Sequence, residues 1–343
     1  MPTPNHKVRA AIIGYGRSGR LLHAGGLRAN PAFDVAAISS LDPASIEQAK
    51  ADFPCPVFSD YRKMLAEIPL DLCVIVTRND QHAAMACDCL AAGAHVLVTK
   101  PMGVDAAEIR SIIAAADAAG RTAFPFLPSR WGSDFRRIRE IVQNGEIGEV
   151  FCIRRGEYGF ATRDDWQTQS RFGGGILLNW GPHLVEPPIL LAGGRPVAVH
   201  GSHGRLLNPG DAEDNFHAVI TMENGVRVHA EWSFSPRGLP NWYVQGTRGV
   251  IIAHGQKLEI ISGTPQKPAD PTDFKAMQGK PADCRTEEVG EHLFGDSKEV
   301  YADFARALTT GEPFGATAND ALQIARILDA IRTSGNEQRV VTL

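Results

Sequence analysis

From Val8 to Phe126 the chain alternates short apolar runs with longer stretches of helical composition, and few architectures tolerate that order. Apolar runs fall at residues 8–13, 35–38, 72–76, 96–98 and 122–126. Between them lie helical segments at 17–28, at 43–51 behind Asp42-Pro43, at 60–67 behind Ser59-Asp60, at 80–91 before Gly93, and at 105–119 before Gly120. The run at 72–76 is almost wholly apolar, so both its faces must be covered, as in a parallel sheet flanked by helices. This predicts an α/β domain of Rossmann type over residues 1–125.

After Pro128 the pattern changes. A helix is expected at 133–144, followed by extended segments near 149–155, 197–203, 216–222, 226–232, 242–246, 250–254 and 258–262. Glu223-Asn224-Gly225 between two alternating runs predicts a hairpin, because Asn and Gly tolerate positive φ. Residues 264–290 are rich in Pro, Lys and Asp and read as a long loop, and helices near 298–309 and 318–333 close the chain. Residues 126–343 are therefore expected to form an α+β domain on a large, mostly antiparallel open sheet that serves substrate binding and oligomerisation.

At 343 residues, two domains are the natural division. With 35 Lys+Arg against 39 Asp+Glu, the formal charge of −4 argues against a nucleic-acid partner. No apolar stretch approaches the roughly 20 residues of a membrane helix, and the polar start MPTPNHKVRA does not resemble a signal peptide. The six cysteines lack the spacing of a disulfide framework or zinc site, so reduced thiols and a cytoplasmic location are expected. His200-x-x-His203, His217 and His229 are explained by alternating strand positions, and no metal site is expected.

Gly14-Tyr15-Gly16-Arg17-Ser18-Gly19 closes the first strand and opens the first helix. In that context G-x-G-x-x-G is a dinucleotide fingerprint: Gly14 makes the tight turn, Gly16 admits a pyrophosphate, and Gly19 brings helix and strand together. A glycine-rich turn without a ligand is the plainer alternative, and the strand–turn–helix order weighs against it. About 20 residues on, where an NAD-selective site prefers a carboxylate, stand Ser39 and Ser40. Two hydroxyls do not repel a 2′-phosphate, so NAD or NADP is expected with a lean to NADP; Asp42 lies close by and no arginine follows immediately. Thr77-Arg78-Asn79 with His82, and Thr99-Lys100-Pro101, end two further strands, where open parallel sheets bind ligands. A lysine at such a place either stabilises a developing alkoxide or is an ordinary loop lysine.

Taken together, G-Y-G-R-S-G at 14–19, T-R-N-D-Q-H at 77–82, A-G-A-H-V-L-V-T-K-P at 92–101, G-E-I-G-E-V at 145–150, G-G-G-I-L-L-N-W-G-P-H at 173–183 and the closing helix at 318–330 carry a resemblance. Over nearly its whole length the chain resembles the glucose–fructose oxidoreductase/inositol dehydrogenase (Gfo/Idh/MocA) family. Ser39-Ser40 and Arg130-Trp131-Gly132-Ser133-Asp134-Phe135 look most like its scyllo-inositol dehydrogenase branch. The resemblance implies an active site between the domains, with Lys100 matching the catalytic lysine and His183 the catalytic histidine. It also implies that Asn179 and Thr99 stand where the family usually has acids. Cofactor contacts are expected from Gly14, Tyr15, Gly16, Arg17, Ser18, Gly19, Ser39, Ser40, Thr77, Arg78, Asn79, His82, Lys100 and Pro101.

Hydride transfer at a secondary alcohol is the chemistry implied, with His183 as base, Lys100 stabilising the alkoxide and Asn179 orienting the hydroxyl. Candidate substrate contacts are Arg130, Trp131, Asp134, Tyr158, Arg163, Asp165, Trp166 and Arg171, a mix of aromatic and charged groups suited to a sugar or cyclitol. Non-net-redox glycoside cleavage and a non-catalytic dinucleotide- and sugar-binding regulator are the competing functions. Pro187 and Pro188 predict either a kink at His183 or a helix that restarts there. An open sheet has a face to cover, so a homodimer or homotetramer is expected.

Overall fold

The computed structural model describes residues 7–264, Thr272 and residues 280–343. Six strands form the first sheet: β1 (Val8–Ile13), β2 (Phe33–Ser39), β3 (Val57–Phe58), β4 (Leu72–Ile75), β5 (His95–Thr99) and β6 (Ala123–Phe126), all parallel in the order β3-β2-β1-β4-β5-β6. The reversal of order beside β1 opens the crevice at the carboxyl ends of β1 and β4. Strand periodicity divides the core. Val8, Ala10 and Ile12 join one apolar cluster and Ala11 and Ile13 another, so β1 is buried on both faces.

Nine strands form the second sheet. They are β7 (Val150–Gly159), β8 (Pro196–Gly204), β9 (Asn215–Met222), β10 (Arg227–Phe234), β11 (Trp242–Gly246), β12 (Gly249–His254), β13 (Lys257–Thr264), β14 (Lys280–Glu288) and β15 (Val341–Thr342). Their order is β14-β13-β12-β11-β7-β10-β9-β8-β15, and β7 with β10 is the parallel pair in an otherwise antiparallel sheet. The chain is thus a Rossmann unit joined to a second lobe on a mixed, mostly antiparallel sheet. One face of this sheet packs on the helix Ile176–Ala192 and the C-terminal helix Ala318–Glu337.

One local expectation changes. Part of the segment read as loop is the strand β14, paired with β13 from Lys257↔Glu288 to Thr264↔Lys280; residues 265–271 and 273–279 lie outside the described residues. An edge strand needs a partner on one side only and tolerates charge, which is why composition hid it. Its Arg285 and Glu287 hold Glu146 and Arg137 at 2.6 Å each. At the hairpin only Gly225 takes a positive φ (85°), and its N–H donates to the Met222 carbonyl at 3.0 Å. The expected hairpin is thus present, with Glu223–Gly225 a three-residue loop closed by a left-handed glycine.

The lobes share apolar packing. Phe304 and Tyr301, on the helix Ser297–Thr310, meet Phe33, Phe124 and Phe126 of the first sheet, with Phe304 4.8 Å from Phe124 and 6.0 Å from Phe33 between ring centroids. Phe304→Ala is expected to cost about 3–5 kcal/mol and to lower the whole denaturant transition together. A variant in which one lobe melts separately at unchanged midpoint for the other would contradict this shared core.

Candidate active site

The glycine turn has the form a pyrophosphate requires. A Cβ on Gly14 (φ 100°) would meet the Val76 carbonyl, and one on Gly19 would collide with the Gly14 carbonyl oxygen, whereas one on Gly16 would meet nothing within 4 Å. Gly14 and Gly19 therefore close the turn, and Gly16 faces open space at the start of the first helix. That helix opens as a π-helix, Gly19–Ala24, before the α-helix Gly25–Ala29. Arg17 and Ser18 are exposed there. Tyr15 is not: it is 2% exposed and donates to Asp52 at 2.8 Å, so only its backbone faces the turn.

Ser39 and Ser40 are buried at the end of β2. Asp42 is engaged elsewhere, capping the helix Pro43–Asp52 by accepting from Ser45 N at 2.9 Å and Ser45 Oγ at 2.7 Å. Both bonds fall on Asp42 Oδ2, and the side chain that makes the cap stays exposed. His82, expected at the cofactor, is instead fully buried, its ring nitrogens 2.8 Å from the Pro101 carbonyl and 3.1 Å from the Thr77 carbonyl. It ties the ends of β4 and β5 together, holding Thr77, Arg78 and Lys100-Pro101 in place. Burial lowers its proton affinity while the two facing carbonyls raise it, and a neutral ring, with one N–H, donates to one of them. Asn79 donates to the Gly173 carbonyl at 2.7 Å, and Gly173 leaves no room for a Cβ against Asn79 and Val104. The G-G-G run thus lets the entry to the helix Ile176–Ala192 sit against the Rossmann lobe.

Lys100, at the end of β5, crosses to that helix. Its Nζ donates to the Asn179 carbonyl at 2.6 Å and to Asn179 Oδ1 at 3.0 Å. Burial, aided by Arg163, brings its pKa down to about 8. His183, one helical turn beyond Asn179, has Nδ1 2.6 Å from Ser129 Oγ and its ring 5.8 and 5.5 Å from the rings of Trp180 and Phe294. Burial, then Lys100, then Arg155 hold its pKa well below the usual value, so the imidazole is neutral at pH 7. The helix runs unbroken through Pro182, Pro187 and Pro188 rather than restarting at the prolines. Lacking N–H groups, these prolines leave the carbonyls of Leu178, His183 and Leu184 without an i+4 donor.

The expected substrate residues separate. Arg130 pairs with Glu186 and, at 3.0 Å, with Asp320; Glu186, pushed up to about 7 by burial, is on the same helix as His183. Trp131 stacks on Phe314 at 5.4 Å, and Asp134, 2% exposed, accepts from Trp242 Nε1 at 2.7 Å. These three build the lobe interior. Tyr158 donates to Glu231 on the uncovered face of the second sheet; odd and even positions of β7 point oppositely, and the covered face presents Arg155. Arg163 and Asp165 pair at 2.7 Å in the loop before the helix, Asp165 also capping the turn Trp166–Thr168. Arg171 and Arg78 lie over Phe172 at 4.5 and 4.0 Å.

Ser129, Arg155, Trp180 and Phe294 border this site and were not anticipated. Ser129 was findable, since it follows the last parallel strand, where ligands bind; Phe294 carried no sequence signal. No group of three or more His, Cys, Asp or Glu residues among the described residues is placed to hold a metal.

Residues 8–126 match the model of the oxidoreductase family with NAD-binding Rossmann fold, and residues 135–252 that of the GFO/IDH/MocA C-terminal domain. This chain belongs to the Gfo/Idh/MocA family. As a member it is an oxidoreductase with an NAD-binding domain. Among its relatives is the uncharacterized oxidoreductase YdgJ of Escherichia coli, 29% identical with 94% of each chain covered. The NADP(+)-dependent scyllo-inositol 2-dehydrogenase IolW of Bacillus subtilis is 24% identical, covering 98% of this chain and 96% of that one. A crystal structure of an NAD-binding protein from Listeria innocua superposes with TM-score 0.86 at 25% identity, covering 98% and 97%.

Gly16→Val is expected to leave unfolding unchanged, since its side chain enters open space, and to weaken NAD(P)H binding by about tenfold or more, roughly 1.4 kcal/mol. Fluorescence titration of NAD(P)H with the variant checks it, and wild-type affinity would place the dinucleotide elsewhere.

Proposed function

We propose that this oxidoreductase transfers hydride between NAD(P) and a secondary alcohol of a sugar or cyclitol, with Lys100, Asn179 and His183 at the reacting carbon. The observation that carries this reading is the convergence of a part-buried lysine from the end of β5 and a part-buried histidine from the facing helix beside the crevice of the parallel sheet. Gly14, Gly16, Arg17, Ser18 and Gly19 would hold the pyrophosphate, Ser39 and Ser40 the adenosine ribose, and Thr77, Arg78, Asn79 and Pro101 the approach to the nicotinamide. A bound nicotinamide supplies the hydride acceptor.

The protein's own groups handle the proton. With Nδ1–H donating to Ser129 Oγ, Nε2 of His183 is a free base for the substrate hydroxyl. Lys100 stabilises the negative charge that develops on that oxygen, and its nearness keeps the imidazole unprotonated beforehand. Asn179 fixes the ammonium through two acceptors. Ser39 and Ser40 at the end of β2, where an NAD-selective site prefers a carboxylate, support NADP as the favoured dinucleotide, and the relative in Bacillus subtilis is named for NADP and scyllo-inositol. A cytoplasmic enzyme with unpaired cysteines, associating through the uncovered face of its second sheet as a homodimer or homotetramer, belongs to the same reading.

The test is a screen of neutral sugars, inositols and sugar acids with NAD and NADP in parallel, following absorbance of the reduced cofactor. Stoichiometric reduction with oxidation of the polyol is expected; aglycone release without net reduction, or binding without turnover, would overturn it. The profile of kcat/KM should fall on the acid side, well below the ordinary histidine range, as His183 takes a proton, and above about pH 8 as Lys100 loses one.

Asn179→Asp should move the alkaline limb upward by about one unit or more, because a carboxylate 3.0 Å from Nζ favours the ammonium. It should also raise the histidine limb and leave NAD(P)H affinity unchanged. Limbs that stay in place would remove Lys100 and His183 from these roles.

A further inference from the structure

Arg155 is 3% exposed, on the covered face of β7. Its guanidinium lies 4.7 Å from the Trp242 ring centroid and 5.3 Å from that of Phe294, the ring that also packs against His183. Among the described residues it makes one hydrogen bond, from Nη1 to the Asn241 carbonyl at 3.3 Å, and its Nε has no partner. Asp134 Oδ2 forms a buried ion pair with its Nη1 at 3.7 Å, beyond hydrogen-bond reach, and Asp134 is itself held by Trp242 Nε1 and the Phe135 N–H; Asp134 and Glu157 both favour the charged guanidinium, yet neither completes its Nε. Glu157, further along the same strand face, accepts from Asn241 at 3.0 Å, and burial raises its pKa.

A guanidinium taken out of water with unsatisfied donors is costly unless something completes it. Among the described residues, the charges that act on Lys100 and His183 are all cationic. Both acceptors of the Lys100 ammonium belong to Asn179, a neutral residue. The charges that bear on His183 are those of Lys100 and Arg155, both cationic.

We propose that Arg155 is the anion-recognising residue of the substrate subsite, and that the substrate is a polyol bearing a carboxylate, such as a uronic acid or a hydroxylated cyclohexane carboxylate. The inference rests on the oxidoreductase reading above and narrows its substrate class. The planar fork of a guanidinium matches a carboxylate edge to edge. A phosphate dianion has three acceptor oxygens and more charge than one such residue satisfies, so the carboxylate is the better fit.

The test compares matched pairs with the full-length protein and either dinucleotide: glucose, glucuronate and glucose 6-phosphate; galactose and galacturonate; myo-inositol and quinate. At least one carboxylate is expected to exceed its neutral partner about tenfold or more in kcat/KM. Arg155→Gln should lower kcat/KM for that acid about a hundredfold, mainly through KM, and remove its advantage over the neutral partner; Arg155→Lys should restore part of it. Neutral polyols turned over in preference to acids, a preference for the sugar phosphate, or an equal loss on acid and neutral substrates in Arg155→Gln would overturn the assignment while leaving the dehydrogenase reading standing. Cofactor left unreduced by every compound would defeat both. The wild-type panel decides the substrate class even where a variant fails to fold.

Discussion

The site depends on one part-buried ammonium. Lys100 leaves the end of β5 in the Rossmann lobe and reaches two oxygens of Asn179 in the opposite lobe. A charge removed from water must be met by acceptors with good geometry, so the end of the parallel sheet and the helix Ile176–Ala192 are held at a fixed spacing. His183 is on that helix four residues further on, and its place relative to Lys100 follows from the same contact. Burial lowers the proton affinity of both groups, aided by Arg163 at Lys100 and by Lys100 and Arg155 at His183.

Around that contact the molecule uses its polar residues mostly as braces. His82 joins the ends of β4 and β5, Asn79 joins the turn after β4 to Gly173, and Arg130 links Glu186 to Asp320. Ser129 holds the histidine ring from the end of the last parallel strand. Each is buried enough that its hydrogen bonds have few competitors from solvent, so each orders a neighbouring loop. The chemistry is left to few groups, and their surroundings fix both position and charge state.

Much of the Rossmann lobe is legible in the sequence because its signals are local. Asp42, Asp60 and Asp105 each cap the helix that follows, and Gly120 takes the left-handed conformation that ends one. β14 was hidden by the polar composition an edge permits, whereas the Glu223–Gly225 hairpin was legible although only Gly225 of its loop takes a positive φ. Tyr15, His82, Arg130, Asp134 and Tyr158 have side chains suited to a ligand, yet each is directed to a protein partner by packing that no local pattern encodes. Their chemistry was readable, their orientation was not.

By itself the sequence determined the alternating strand–helix order, the open position at Gly16 and the presence of a lysine and a histidine at motif positions, because backbone propensity and steric need are written within a few neighbouring residues. Tertiary structure alone decided that Lys100 meets Asn179, that Ser129 holds His183, and that Arg155 is enclosed beside Phe294 with an unsatisfied nitrogen. Those contacts join residues 54 to 139 positions apart in the chain. Their energies depend on burial and angle, which exist only once two sheets have closed around them.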